Sequence, residues 1–193
     1  MPKAIIFDIG GVIANDVEEP LFRRIAKEQK ISFKSIWKAR KRNWELASTG
    51  RMSENTYWKN MLSQTKIKGG IALMKKRARQ QMAATKGIIG LIRKLCMKYT
   101  LAIISDNSKE WAGYVVAKYN LKRYFKVITT SDRAGIRKPH PRIYRVTLKK
   151  LGLKPEECVF IDNHGFNLAP ARKMGMKTIL FRNTKQLEAK LRK

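Results

Sequence analysis

A repeated rhythm constrains this chain more than any other feature. Five short apolar runs recur, at residues 3–9 (KAIIFDI), 99–105 (YTLAIIS), 126–130 (KVITT), 158–162 (CVFID) and 177–181 (KTILF). Near-continuous hydrophobic strands belong to parallel sheets covered on both faces, whereas strands with one wet face alternate. Helical patterns separate the later runs, at residues 109–119, 141–151 and 167–174. Strands alternating with helices of about ten residues build right-handed crossover units and hence an open parallel sheet of the α/β class.

Residues 18–98 break the rhythm. They carry no convincing strand and divide into helical patterns at 20–30, 32–48, 53–64, 70–84 and 87–98. Ser32 and Ser53 are candidate N-caps, and Gly50 and Gly69 candidate stops. Trp37 and Trp44, seven residues apart, share a helix face; with Phe22, Ile25, Ile36, Tyr57, Trp58, Met61 and Leu62 they read as the interior of this helical insertion. The expected layout is a Rossmann-like sheet from residues 1–16 and 99–193, with a helical cap at 17–98 after the first strand. The last cap helix, about 86–98, leads back into the sheet.

Hydrophobic residues make up 44% of the chain, enough for a real core. No apolar run approaches the ~18–20 residues of a membrane span. The first residues pass directly into a strand, so no signal or transit peptide is expected. Cys96 and Cys158 lie in apolar runs without metal-ligand spacing, and two histidines argue against a His-based metal site. A reducing, cytoplasmic location fits this cysteine usage.

Ligands of open α/β sheets bind beyond the carboxyl ends of the strands. There the sequence places Asp8 after strand one, Ser105-Asp106-Asn107 after strand two, Lys138-Pro139 after strand three and Asp162-Asn163 after strand four. Two carboxylates on one rim repel unless a cation lies between them. Such oxygen ligands suit Mg²⁺, which keeps waters or a substrate phosphate. A lysine beside them neutralises charge on a transferring phosphoryl group, and a carboxylate at a strand-to-loop turn can act as a covalent nucleophile.

The succession IIFDIGGVI, IISDNS, GIRKPHPRIY, VFIDN resembles the haloacid dehalogenase (HAD) superfamily, in particular its subgroup with a helical cap after strand one. It looks most like sugar-phosphate-type phosphatases that also read FD-x-G and RKP. The resemblance implies a phosphoric monoester hydrolase acting on a small phosphorylated substrate. Asp8 would attack phosphorus to form an aspartyl-phosphate. Ser105 and the backbone amide of Asp106 would hold phosphate oxygens, and Lys138 would neutralise the nucleophile and the phosphoryl group. Asp8, Asp162 and the Gly10 carbonyl would hold Mg²⁺, supported by Asn163 and Asn167. Dehalogenases of the superfamily usually lack an Asp at the position of Asp162. Two positions depart from the pattern. Gly10 stands where most family phosphatases carry an Asp that protonates the leaving group, a role worth ~10²–10⁴-fold in rate. Asn163 stands where many relatives have a second Asp, so Mg²⁺ is expected to bind more weakly.

Charge opens a second possibility. Lys and Arg number 43 and Asp and Glu 14, a formal balance of +29. Twenty-one of the basic residues, against five acids, fall in residues 18–98. The runs Lys38-Ala39-Arg40-Lys41-Arg42 and Lys75-Lys76-Arg77-Ala78-Arg79 look short of acidic partners. Clustered cations on helices are the electrostatic footprint of polyanion binding. Three readings stay open: RNA or ribonucleoprotein association by a chain with weakened or no catalysis, a field that steers phosphorylated substrates, or a composition bias with no site behind it.

Overall fold

The computed structural model describes residues 2–192. Five strands, β1 (Ala4–Phe7), β2 (Thr100–Ser105), β3 (Phe125–Thr130), β4 (Cys158–Asp162) and β5 (Lys177–Leu180), form one all-parallel sheet in the order β3-β2-β1-β4-β5. The chain leaves β1 towards one edge and returns to its other side for β4, which makes the carboxyl end of β1 the topological switch point. Between β1 and β2 run α1 (Glu18–Gln29), α2 (Phe33–Ser48), α3 (Glu54–Gln64), α4 (Ile71–Gln81) and α5 (Ile88–Leu95). The later connections hold α6 (Lys109–Lys118), the single turn α7 (Ser131–Ala134), α8 (Pro141–Leu151) and α9 (Gly165–Lys173), and α10 (Thr184–Leu191) follows β5.

Strand periodicity divides the interior. Ile5 and Phe7 point to one face, where α5, α6, α10 and the helical insertion pack; Ala4 and Ile6 point to the other, covered by α8 and α9. Both faces are therefore dry, which is why the strands read as continuous apolar runs. The α/β class and the Rossmann-like sheet are as the rhythm predicts.

Ser32 and Ser53 cap α2 and α3, accepting hydrogen bonds from Ser35 N and Thr56 N at 3.4 and 3.1 Å. Gly50, at φ +76°, follows the end of α2. Gly69 is not a helix stop: α3 already ends at Gln64, and Gly70 caps the start of α4. Helix α4 also ends at Gln81, short of residue 84, because the next residues turn extended. Asn15 N donates to Ala83 O at 2.9 Å and Thr85 N to Ile13 O at 3.0 Å, so the chain into the insertion pairs with the chain out of it. Trp44 is buried as expected, while Trp37 and Leu62 are half-buried. Helix α10 has no counterpart in the sequence reading; it buries Leu187.

Candidate active site

Register builds the centre of the site. Phe7 lies level with Ile161 of β4, and Asp8 N donates to Ile161 O at 3.0 Å. Asp8, one residue beyond β1, therefore comes level with Asp162 at the end of β4. Lys138, from the segment between α7 and α8, reaches between them: Nζ lies 2.9 Å from Asp8 Oδ1 and 2.6 Å from Asp162 Oδ2. The ammonium is 1% exposed and Asp162 wholly buried, so this is a desolvated cluster rather than a surface pair.

Burial pushes the Asp8 carboxyl up, and the Asp162 charge adds to this; the Lys138 ammonium pulls the other way, leaving it at about 7. Burial works against the Lys138 charge, but Asp8, Asp162 and Asp106 outweigh it and hold the ammonium above its ordinary value. The lysine is thus a fixed cation across the working pH range.

Asp162 has little freedom. Besides Lys138, it accepts from His164 N at 2.8 Å and from Asn167 Nδ2 at 3.0 and 3.1 Å. Asp106 accepts from Lys138 N at 2.9 Å and so ties the β2 end to the lysine segment. Ser105 is fully buried and accepts from Asn107 Nδ2 at 2.8 Å. The structure thus brings Asp8, Asp106, Lys138, Asp162 and Asn167 into one bonded cluster, with Ser105 at the adjoining strand end. His140 stands apart as the N-cap of α8.

Gly10 and Asn163 form the second half of the rim. A Cβ on Gly11 would fall 2.2 Å from Asn163 Nδ2, so the turn after β1 accepts the amide only as glycine. Asn163 Nδ2 donates to Asp16 Oδ2 at 3.4 Å, and a Cβ on Gly10 would lie 3.2 Å from Asp16 Oδ1. Asp16 is a member of the rim that the strand-end reading misses. It follows β1 by nine residues, and the turn at residues 9–14 folds it back.

The donors available to a metal are all oxygen: the Asp8 and Asp162 carboxylates, the Gly10 carbonyl and the Asn163 side chain. Asn163 Oδ1 is buried without a hydrogen-bond partner, and a hard cation would satisfy such an atom. Among the described residues no group of three His, Cys, Asp or Glu side chains is arranged to cage a metal. Two carboxylates, a main-chain carbonyl and an amide oxygen suit a hard ion that takes few protein ligands and keeps its waters. The residues present fit Mg²⁺.

The rim opens into a cavity of about 730 Å³ walled by the insertion. Trp37 and Trp44 of α2 and Trp111 of α6 supply apolar surface. The two basic runs have separate fates. Arg77 pairs with Glu28 at 2.7 Å and Arg79 with Glu54 at 2.6 Å, while Lys75 lies 3.8 Å from Glu54. Three of the four cations of this run are thus paired within the insertion, contrary to their appearance in the sequence, while Lys76 is exposed. In the other run Arg40 pairs with Glu18, whereas Lys38, Lys41 and Arg42 are exposed. No helix among the described residues is long and apolar enough to cross a membrane.

Comparison with known proteins gives the family and the fold. The family profile of haloacid dehalogenase-like hydrolases matches residues 5–181, and the chain belongs to that family. It is 48% identical over 64 residues to bifunctional epoxide hydrolase 2 of Rattus norvegicus, covering 33% of this chain and 12% of the rat protein. It is 32% identical over 96 residues to glyceraldehyde 3-phosphate phosphatase of Pyrococcus furiosus, covering 48% of this chain and 39% of that one. The chain thus spans well under half the length of these curated relatives. A HAD family enzyme of Bacteroides thetaiotaomicron, solved with magnesium and inorganic phosphate, superposes with a TM-score of 0.76 at 18% identity over 95% of this chain and 96% of its own.

Proposed function

We propose that this haloacid dehalogenase-like hydrolase cleaves the phosphate monoester of a small metabolite through an aspartyl-phosphate, with Mg²⁺ as its cofactor. The observation that carries the reading is the single ammonium of Lys138 held between two buried carboxylates, 2.9 Å from Asp8 and 2.6 Å from Asp162. A nucleophilic carboxylate needs an adjacent fixed cation if it is to approach a phosphate dianion, and Lys138 is that cation. The phosphatase among the relatives and the magnesium and phosphate bound by a structural neighbour support the same chemistry.

In the first step Asp8 attacks phosphorus and the bond to the leaving oxygen breaks. That oxygen takes its proton from solvent, because Gly10 offers no side chain to supply one. In the second step water attacks the acyl phosphate at phosphorus, releases inorganic phosphate and restores the Asp8 carboxylate. Ser105 and the amide of Asp106 orient the phosphoryl oxygens, and Lys138 balances their charge. Asp8, Asp162 and the Gly10 carbonyl would hold Mg²⁺, with Asn163 in support; when bound, it neutralises the phosphate and fixes it for in-line attack. The missing acid at position 10 sets an expectation of slow turnover for poor leaving groups.

The test is phosphate release from a panel of monoesters, with aryl phosphate as the good leaving group. Turnover is expected with Mg²⁺, to be lost in EDTA, and to fall at least about 10³-fold in Asp8→Asn. Equal turnover by the parent and Asp8→Asn proteins would rule the mechanism out.

A further inference from the structure

The wall of the cavity facing the phosphate site carries one arginine whose surroundings point to the leaving group. Arg40 of α2 lines the cavity, and Glu18 at the start of α1 accepts from its Nε at 2.9 Å and from its Nη2. The second oxygen of Glu18 accepts from Tyr57 Oη at 2.8 Å. Glu18 is 8% exposed and Tyr57 1%. The guanidinium also lies over the Trp37 ring at 4.9 Å and the Trp44 ring at 5.6 Å. Its charge is therefore matched, its plane is fixed by two indoles, and among the described residues only Nη1 is left without a protein acceptor.

An arginine in this condition cannot serve a second anion cheaply. To reach one it would have to leave a buried carboxylate, and breaking such a pair is strongly unfavourable because Glu18 would be left uncompensated. An anion that approached without displacing Glu18 would face that carboxylate, with Glu19 and Asp16 on the same wall of the cavity. The remaining cap-side cation, Arg23, is exposed at the rim and pairs with Glu19 at 2.6 Å. Such a pair is weak and screened. A neutral oxygen, by contrast, can accept from Nη1 with no charge rearrangement, and the indoles offer apolar surface for the carbon skeleton.

Resting on the hydrolase reading above, we propose that Arg40, fixed by Glu18 and Tyr57, is a specificity-determining residue that selects monoesters of uncharged, oxygen-bearing alcohols over esters whose leaving group carries a second anion.

The test separates recognition from turnover. Affinities of glycerol 3-phosphate and 3-phosphoglycerate are measured calorimetrically on the full chain carrying Asp8→Asn, with Mg²⁺ and ~150 mM salt to screen the long-range field. These probes differ in one carboxylate. Glycerol 3-phosphate is expected to bind at least about tenfold more tightly, and adding Glu18→Gln, which releases the Arg40 charge, is expected to narrow the ratio at least about fivefold. Arg40→Met serves as the companion variant: it should weaken glycerol 3-phosphate binding at least about fivefold, so a folding defect in Glu18→Gln does not decide the outcome. Equal affinities, a preference for 3-phosphoglycerate, no binding of either ester, or ratios unmoved by both variants would overturn the proposal. Binding with the expected preference but no phosphate release by the unsubstituted protein would instead refute the hydrolase reading.

Discussion

Asp8 shows how far a single residue can be read, and what it costs the fold. It was legible because strand ends are where open sheets place chemistry, and the same holds for Lys138 and Asp162. Asp16 was not legible, since only the turn after β1 brings it against Gly10 and Asn163. Nor was the Arg40–Glu18 pair, whose members stand 22 residues apart. Burial holds the Asp8 carboxyl up at about 7 in the folded protein, against ~3.9 in an unfolded chain. The folded state therefore binds this proton more tightly, and stability declines as pH rises from about 4 through about 7. Asp8→Asn removes that penalty while Lys138 keeps Asp162 as its partner. In EDTA at pH 8 the variant should melt several degrees above the parent, with the gap closing towards pH 4. A variant that melts at or below the parent at pH 8 would contradict this account.

Among the elements, α3 depends most on a partner that sequence could not reveal. Glu54, in its first turn, accepts from Arg79 Nη1 and Nη2 at 2.7 and 2.6 Å and from Trp111 Nε1 at 2.8 Å. One carboxylate thus joins α3, α4 and α6. The helices themselves were legible from their caps and apolar spacing, but Trp111 lies 57 residues from Glu54 and no local pattern links them. Helix α10 escaped for a different reason: only Leu187 among its residues is buried, too little to mark a face. Burial pushes the Glu54 carboxyl up, but the hydrogen bonds and charge of Arg79, with the indole N–H groups, outweigh it and hold it below the ordinary range. A depressed value contributes stability above the unfolded pKa of ~4.3, and that contribution fades as pH falls through the lower folded value. Glu54→Gln should cost about 2–3 kcal/mol at pH 7, because Arg79 loses its partner. Chemical denaturation of both proteins should show the difference shrinking below pH ~4; a constant difference down to pH 3 would refute the coupling.

At the scale of the whole molecule the charge balance is partly internal. Glu18, Glu28 and Glu54 are drawn into pairs with insertion arginines, so the +29 excess is carried by exposed side chains such as Lys38, Lys41 and Arg42. The excess was legible from composition, whereas which cations had partners was not, because those pairs span 22 to 49 residues. A field of this kind raises the encounter rate of anions and is screened by salt. For a phosphate monoester, kcat/KM should fall about 3–10-fold between 50 and 300 mM NaCl while kcat holds; a matching fall in kcat would point to the bonded cluster instead. The shared interior has a separate consequence. Trp111 of α6 stacks on Trp58 of α3 at 6.3 Å and meets Trp44 of α2 at 4.9 Å. Moved onto another sheet, the insertion would arrive with a hole in its inner wall unless the recipient supplied an indole at the same spot. In such an architecture new substrate preferences come more readily from point changes inside the wall than from exchange of the whole lid.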